Sequence, residues 1–182
     1  MHRRIVCSFL LPLLLLTLAM FALRLRAQDD PNDPLTDQEV QAIRDSKIFP
    51  NERIKLYMKF IDERLDGIRN LAGAKSENEK VQVHDKLDEF TRLCDELQDN
   101  LDTYDEAHAD IRKALKELVS DTARWPAAIN SAGDDPSVDF SRKSALEAAQ
   151  SATDEARKLS LEQEVYFDVH KKERGRNGTG PS

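Results

Sequence analysis

Glycine, cysteine and aromatic side chains are all scarce in this chain. Six glycines in 182 residues leave little material for tight turns, because only glycine enters the left-handed backbone region freely. No Gly-rich phosphate loop, G-x-S-x-G or H-E-x-x-H occurs, so nucleotide-loop, serine-hydrolase and zincin chemistry lack their motifs. Aromatics make up 6%, which fits long solvated helices better than a thick globular core or a sheet. There are two cysteines, and Cys7 lies in an N-terminal apolar segment. Cys94 is then the one cysteine of the body, so the fold must stand without an internal disulfide. No C-x-x-C-H is present for covalent haem attachment.

The N-terminus carries the only long apolar run. His2, Arg3 and Arg4 are followed by Ile5 to Leu23 without a charge, and Leu25-Arg26-Ala27 offers a small residue before Gln28-Asp29-Asp30. The pattern predicts an export segment over 1–27 that is cleaved. The length of the run gives the alternative, an uncleaved anchor in the inner membrane. Either way the rest of the chain is expected in the periplasm or outside the cell, with membrane contact only through residues 1–27. Beyond that segment 23 basic residues face 34 acidic ones, a net of −11. An acidic body argues against nucleic-acid binding, which needs Lys and Arg on phosphates.

Residues 28–35 are acidic, carry two prolines and read as a flexible lead-in. The helical domain is expected over 36–171. Thr36-Asp37-Gln38-Glu39 and Ser76-Glu77-Asn78-Glu79 are capping boxes that start helices. A second helix is expected from Pro50 to Ala72, on the stripe Ile54, Met58, Ile61, Leu65, Ile68 and Ala72, and Gly73 ends it. A short loop then makes an antiparallel hairpin with the next helix.

That next helix is the strongest pattern. Val83, Leu87, Phe90, Cys94, Leu97, Leu101, Tyr104, His108, Ile111, Leu115, Leu118, Thr122 and Trp125 step by 4 and 3 without a slip, and no Gly or Pro falls between Glu77 and Trp125. The phase predicts one helix over 77–125, roughly 72 Å long at 1.5 Å per residue. A break at Asn100-Leu101-Asp102-Thr103 is the competing reading, with Thr103-Tyr104-Asp105-Glu106 as a further capping box. Pro126 bends or ends the helix, and 131–138 reads as a loop. A last helix follows from about Phe140 to Lys171, on the stripe Ala145, Ala149, Ala152, Ala156, Leu159, Gln163 and Tyr166. Residues 172–182 are basic, Gly-rich and expected to be disordered. The fold class is all-α: an elongated antiparallel helical bundle or coiled coil around one long central helix.

Chemistry is thin. Asp105-Glu106-Ala107-His108 resembles one half of a bundle metal site, but the second half is missing, which leaves His108 and Asp105 as weak metal candidates. Asp30, Asn32 and Asp33 hint at a calcium loop that Pro34 interrupts. No catalytic residue, metal or cofactor is assigned. Nine acids between Asp88 and Asp110 face Arg92 alone, whereas the second helix carries Arg53, Lys55, Lys59, Arg64 and Arg69, followed by Lys75; charge complementarity within the hairpin is expected. Asn177-Gly178-Thr179 is a glycosylation sequon. The functional expectation is a non-enzymatic interaction or structural module that meets a protein partner or a second copy of itself. Its interface candidates are Cys94, Leu97, Leu101, Tyr104, His108 and Ile111, with Cys94 either a buried core residue or an intermolecular disulfide. The alternative is a metal- or small-ligand-binding four-helix bundle around His108, Tyr104 and Asp105.

Overall fold

Two reciprocal capping boxes set where helices begin. In the computed structural model, which describes residues 33–46 and 49–175, Thr36 caps helix α1 (Asp37–Asp45): its hydroxyl accepts from the Glu39 amide at 3.3 Å, and its own amide donates to the Glu39 carboxylate at 2.7 Å. Ser76 and Glu79 repeat the arrangement at the start of α3 (Glu77–Glu106). Each box satisfies amides that a helix N-terminus otherwise leaves without partners. Between them, α2 (Pro50–Asn70) has Pro50 in its first turn, where a missing N–H costs nothing. Gly73, at φ +80°, allows the turn from α2 into α3. The export segment and the sequon fall outside the described residues.

The single helix expected over 77–125 does not form. Helix α3 stops at Glu106, and α4 (Arg112–Thr122) and α5 (Trp125–Asn130) run back along the molecule. His108 takes the left-handed conformation, φ 50°. The Ala109 amide donates to the Tyr104 carbonyl and the His108 amide to the Asp105 carbonyl, both at 2.9 Å. This pair of bonds closes a Schellman motif, which satisfies the last carbonyls of α3 while turning the chain away. Residues 100–103, the other candidate break, are helical. Pro126 starts α5 instead of ending a longer helix.

Cross-chain contacts fix the directions. Arg64 meets Glu89 and Tyr57 meets Glu96, so α2 and α3 are antiparallel. Asn51 meets Ala114, Lys55 meets Glu117 and Asp62 meets Arg124, so α4 and the residues after it run parallel to α2. Helix α6 (Asp139–Val169) runs parallel to α3, with Lys80 on Asp135, Ser151 on Gln98 and Gln163 on Asp105. Helix α3 packs on α2 and α6, and α4 packs on α6 and α2. Consecutive α3 and α4 are therefore diagonal, and residues 107–111 cross between the ends of α2 and α6.

The core follows the apolar stripes. Ile54, Ile61, Leu65, Ile68, Leu87, Phe90 and Leu97 are completely buried. Ala145, Ala149, Ala152 and Ala156 line the buried face of α6, and their small side chains permit close approach of α3. The helices belong to one compact unit beginning at Pro34. No helix of the described residues is long and apolar enough to cross a membrane, and no strand occurs among them.

Charge pairing is more dispersed than a simple hairpin match. Of the basic residues on α2, Arg64 reaches Glu89 of the acidic run, Lys55 reaches Glu117 on α4, and Lys59 and Arg69 pair within α2. Arg64 is buried and also donates to both Glu39 oxygens and to the Pro34 carbonyl, so it ties α1 to α2 and α3.

Candidate functional site

The crossing at 107–111 puts backbone polar groups at the end of an apolar core, where each needs a partner. Two amide side chains supply them from opposite sides. The Gln163 amide, fully enclosed on α6, donates to the Ala109 carbonyl at 3.0 Å and accepts from the Ile111 amide at 3.1 Å. Asn51, in the first turn of α2, donates to the Asp110 carbonyl at 2.8 Å and accepts from the Ala114 amide at 3.0 Å. The reversal is thus clamped by the two helices it passes between.

A charged and aromatic cluster surrounds this clamp. Asp110 and Arg112 form a two-pronged ion pair at 2.8 and 2.9 Å. The Arg112 hydrogen bonds hold the Asp110 carboxyl below the usual carboxylate range, against the opposing effect of burial. The Arg112 guanidinium lies 4.9 Å above the Phe167 ring centroid. Residues 172–175, placed by sequence in the disordered tail, fold back onto the cluster: the Gly175 amide donates to Asp110 and Arg174 donates to the Phe167 carbonyl.

Tyr166 stacks with two imidazoles. Its centroid lies 4.5 Å from that of His108 and 4.2 Å from that of His170, with interplanar angles of 22° and 19°. The Tyr166 hydroxyl donates to Glu173 at 2.9 Å. Asp105, His108, Glu162, Gln163, Tyr166 and Phe167 line a cleft of about 160 Å³, below the roughly 300 Å³ where small-molecule pockets begin.

The structure distributes the sequence-predicted candidates unevenly. Cys94, Leu97, Leu101 and Ile111 are completely buried in the chain's own core, and Tyr104 nearly so. Burial pushes the Cys94 thiol well above its ordinary value. The Tyr104 hydroxyl is buried beside the Arg53 guanidinium, not at a free surface. His108 and Asp105 do meet at one cleft, but among the described residues no group of three His, Cys, Asp or Glu side chains is placed to hold a metal ion. Between α2 and α3, Tyr57 donates to Glu96 at 3.1 Å, and its phenol is pushed up to about 12 by burial and by that carboxylate's charge.

One surface feature escaped the sequence reading. Leu161, Val165 and Val169 are 72%, 69% and 75% exposed. Their spacing of four places them in line on the outer side of α6, opposite the alanine stripe. Hydrophobicity at 161, 165 and 169 is the signal in the sequence, and it lies on the same helix as a longer core-facing stripe that satisfies the helical period by itself. The chain matches no protein-family model, no curated protein and no solved structure.

Proposed function

We propose that this chain is an exported, non-enzymatic helical module that binds a protein partner through the outer face of α6. One observation carries the reading: the apolar side chains of the heptad pattern are covered by the chain's own helices, whereas Leu161, Val165 and Val169 stand uncovered in line. Apolar anchors one helical turn apart are the spacing by which helices recognise protein surfaces. The surface replaces the heptad seam as the partner face, because the reversal at 107–111 closes that seam within the chain. Export rests on the basic start and apolar run of residues 1–27.

The test is a photoreactive amino acid at position 165 in the native host, with the exposed position 150 on the same helix as control. The expected outcome is a protein adduct from 165 and none from 150. Equal yields, or none from either, count against the reading.

The reversal also favours a second reading. It leaves helical segments packed against one another, and the small cleft beside His108 is also lined by the carboxylates of Asp105 and Glu162. A small-ligand or metal-binding four-helix bundle would use that cleft. Metal analysis and an absorption spectrum of untagged protein test it, and a metal-free, colourless chain that binds no added cation removes its support.

A further inference from the structure

We propose that the outer face of α6 pairs antiparallel with the same face of a second copy of this chain, which makes the protein a two-fold symmetric, reversible dimer. The proposal rests on the reading of that face as a partner surface and names its occupant. The face reads Asp154, Lys158, Leu161, Val165, Asp168 in steps of 4, 3, 4 and 3, so these side chains share one side of the helix. All are exposed; the side chains of Lys158 and Asp168 are 59% and 77% accessible. Leu161 and Val165 are centred on position 163, and so are Lys158 and Asp168, while Val169, at the rim of this face, falls level with Arg157 of the second copy. A two-fold axis beside that point therefore sets Leu161 level with Val165 of the second copy and, in the same register, Lys158 level with Asp168 of the second copy, each pair occurring twice. Asp154 and Lys172 share the centre too, with Lys172 in the turn that follows the helix. A self-complementary patch is what a two-fold interface requires.

The alternatives fit less well. A parallel pairing sets Lys158 on Lys158 and Asp168 on Asp168. An anionic lipid surface is opposed by Glu162 and Asp168, which flank an apolar stripe only about 12 Å long at 1.5 Å per residue. The present partners of the two charges, Glu155 for Lys158 and Lys171 and Arg174 for Asp168, lie at 3.3 to 3.9 Å on the surface, and such pairs exchange at little cost. One helix pair of this length buries less than the roughly 1,200 Å² of a standard interface, so association depends on concentration.

Sedimentation equilibrium of the full chain tests this with Val165→Lys, Lys158→Glu, Asp168→Lys and the Lys158→Glu/Asp168→Lys double variant. All these positions are exposed, so the fold is kept. The wild type is expected to dimerise reversibly and Val165→Lys to abolish dimerisation. Each charge reversal is expected to weaken it by about tenfold, because it sets two like-charge contacts across the axis, and the double variant to restore it to within about twofold. A wild type that stays monomeric overturns the proposal, as does a dimer indifferent to Val165→Lys, which would include association through the N-terminal apolar run. Singles that weaken without rescue overturn the register. A monomer that binds phosphatidylglycerol vesicles through Val165 assigns the face to lipid and overturns self-pairing. Adducts from position 165 to a different protein, with a monomeric chain, leave the partner-surface reading standing and overturn self-pairing alone.

Discussion

Phe90 and Trp125 meet edge to face, with ring centroids 5.6 Å apart and planes at 89°. On an unbroken helix their separation in sequence would place them about 52 Å apart. The contact therefore exists only because the chain turns back between them, and it reports on that reversal. Both rings are completely buried. Phe90→Ala is expected to cost about 3–5 kcal/mol in urea unfolding, the usual range for deleting a core aromatic. Trp125 is the sole tryptophan, so its emission should shift to longer wavelength in the same variant. A loss under about 1 kcal/mol with unchanged emission would place Phe90 elsewhere.

Gln163 is the second reporter of the reversal. Removing its amide leaves the Ile111 N–H and the Ala109 carbonyl without partners in an enclosed place. Gln163→Ala is expected to cost about 2–4 kcal/mol, from two orphaned buried groups and a small cavity. Gln163→Glu is expected to be worse near neutral pH, because a carboxylate oxygen would replace the donor that faces the Ala109 carbonyl and Asp105. Amide exchange at Ile111 should quicken before exchange in the middle of α3. Equal protection at Ile111 in wild type and Gln163→Ala would show that the side chain does not hold the turn.

Much of this fold was legible because the deciding interactions are local. Thr36 with Glu39 and Ser76 with Glu79 are three residues apart, Pro50 and Gly73 flank α2, and the α2 and α6 stripes are buried as their periods require except at their last positions, Ala72, which is exposed beyond the end of α2, and Tyr166, which is half-buried. The heptad from Val83 to Trp125 also reported burial correctly at nearly every position. Tyr104, Ile111, Leu115, Leu118 and Trp125 are all inside. What phase does not report is continuity. A chain that reverses can keep its apolar side chains in step if the turn consumes the right number of residues, and residues 107–111 do. The turn lacked its usual sign because His108, not glycine, occupies the left-handed position. Its clamps come from Asn51 and Gln163, more than fifty residues away in sequence, and no local pattern announces such partners. The sequence did hold one local hint: Asp105 and Glu106 put negative charge in the last turn of α3, where the helix dipole disfavours it.

His108 allows the conformational cost of the turn to be separated from the value of its ring stack. A residue with a Cβ in the left-handed region pays about 1 kcal/mol relative to glycine. His108→Gly and His108→Ala both lose the stack on Tyr166, so the difference between them isolates the backbone contribution. His108→Gly is expected to be the more stable of the two by about 1 kcal/mol, measured by thermal or urea unfolding. Equal stabilities would mean that position 108 does not hold a positive φ in solution.

Glu39 joins the first capping box to the buried Arg64, and its protonation should govern how α1 holds in acid. Burial alone would raise the Glu39 carboxyl, but hydrogen bonds from Arg64 and from the Thr36 amide, with the Arg64 charge, bring it below its ordinary value of 4.5. A group lowered in the folded state stabilises fully above its ordinary value, and that contribution is lost as pH falls through the folded-state value. Acid should therefore release α1 from α2 as Glu39 takes up a proton. Arg64→Met is expected to cost about 3–5 kcal/mol at neutral pH, because it leaves Glu39 buried without a cation beside Glu89. The same variant should weaken or reverse the local trend: with only the Thr36 hydrogen bonds left to oppose burial the Glu39 carboxyl rises, and lowering the pH towards 5 should then recover part of the loss. Glu39→Gln/Arg64→Met should show neither trend at this site. Urea midpoints from pH 7 to pH 4 for the three proteins measure this, and parallel curves would show that the Glu39–Arg64 pair does not carry the pH dependence.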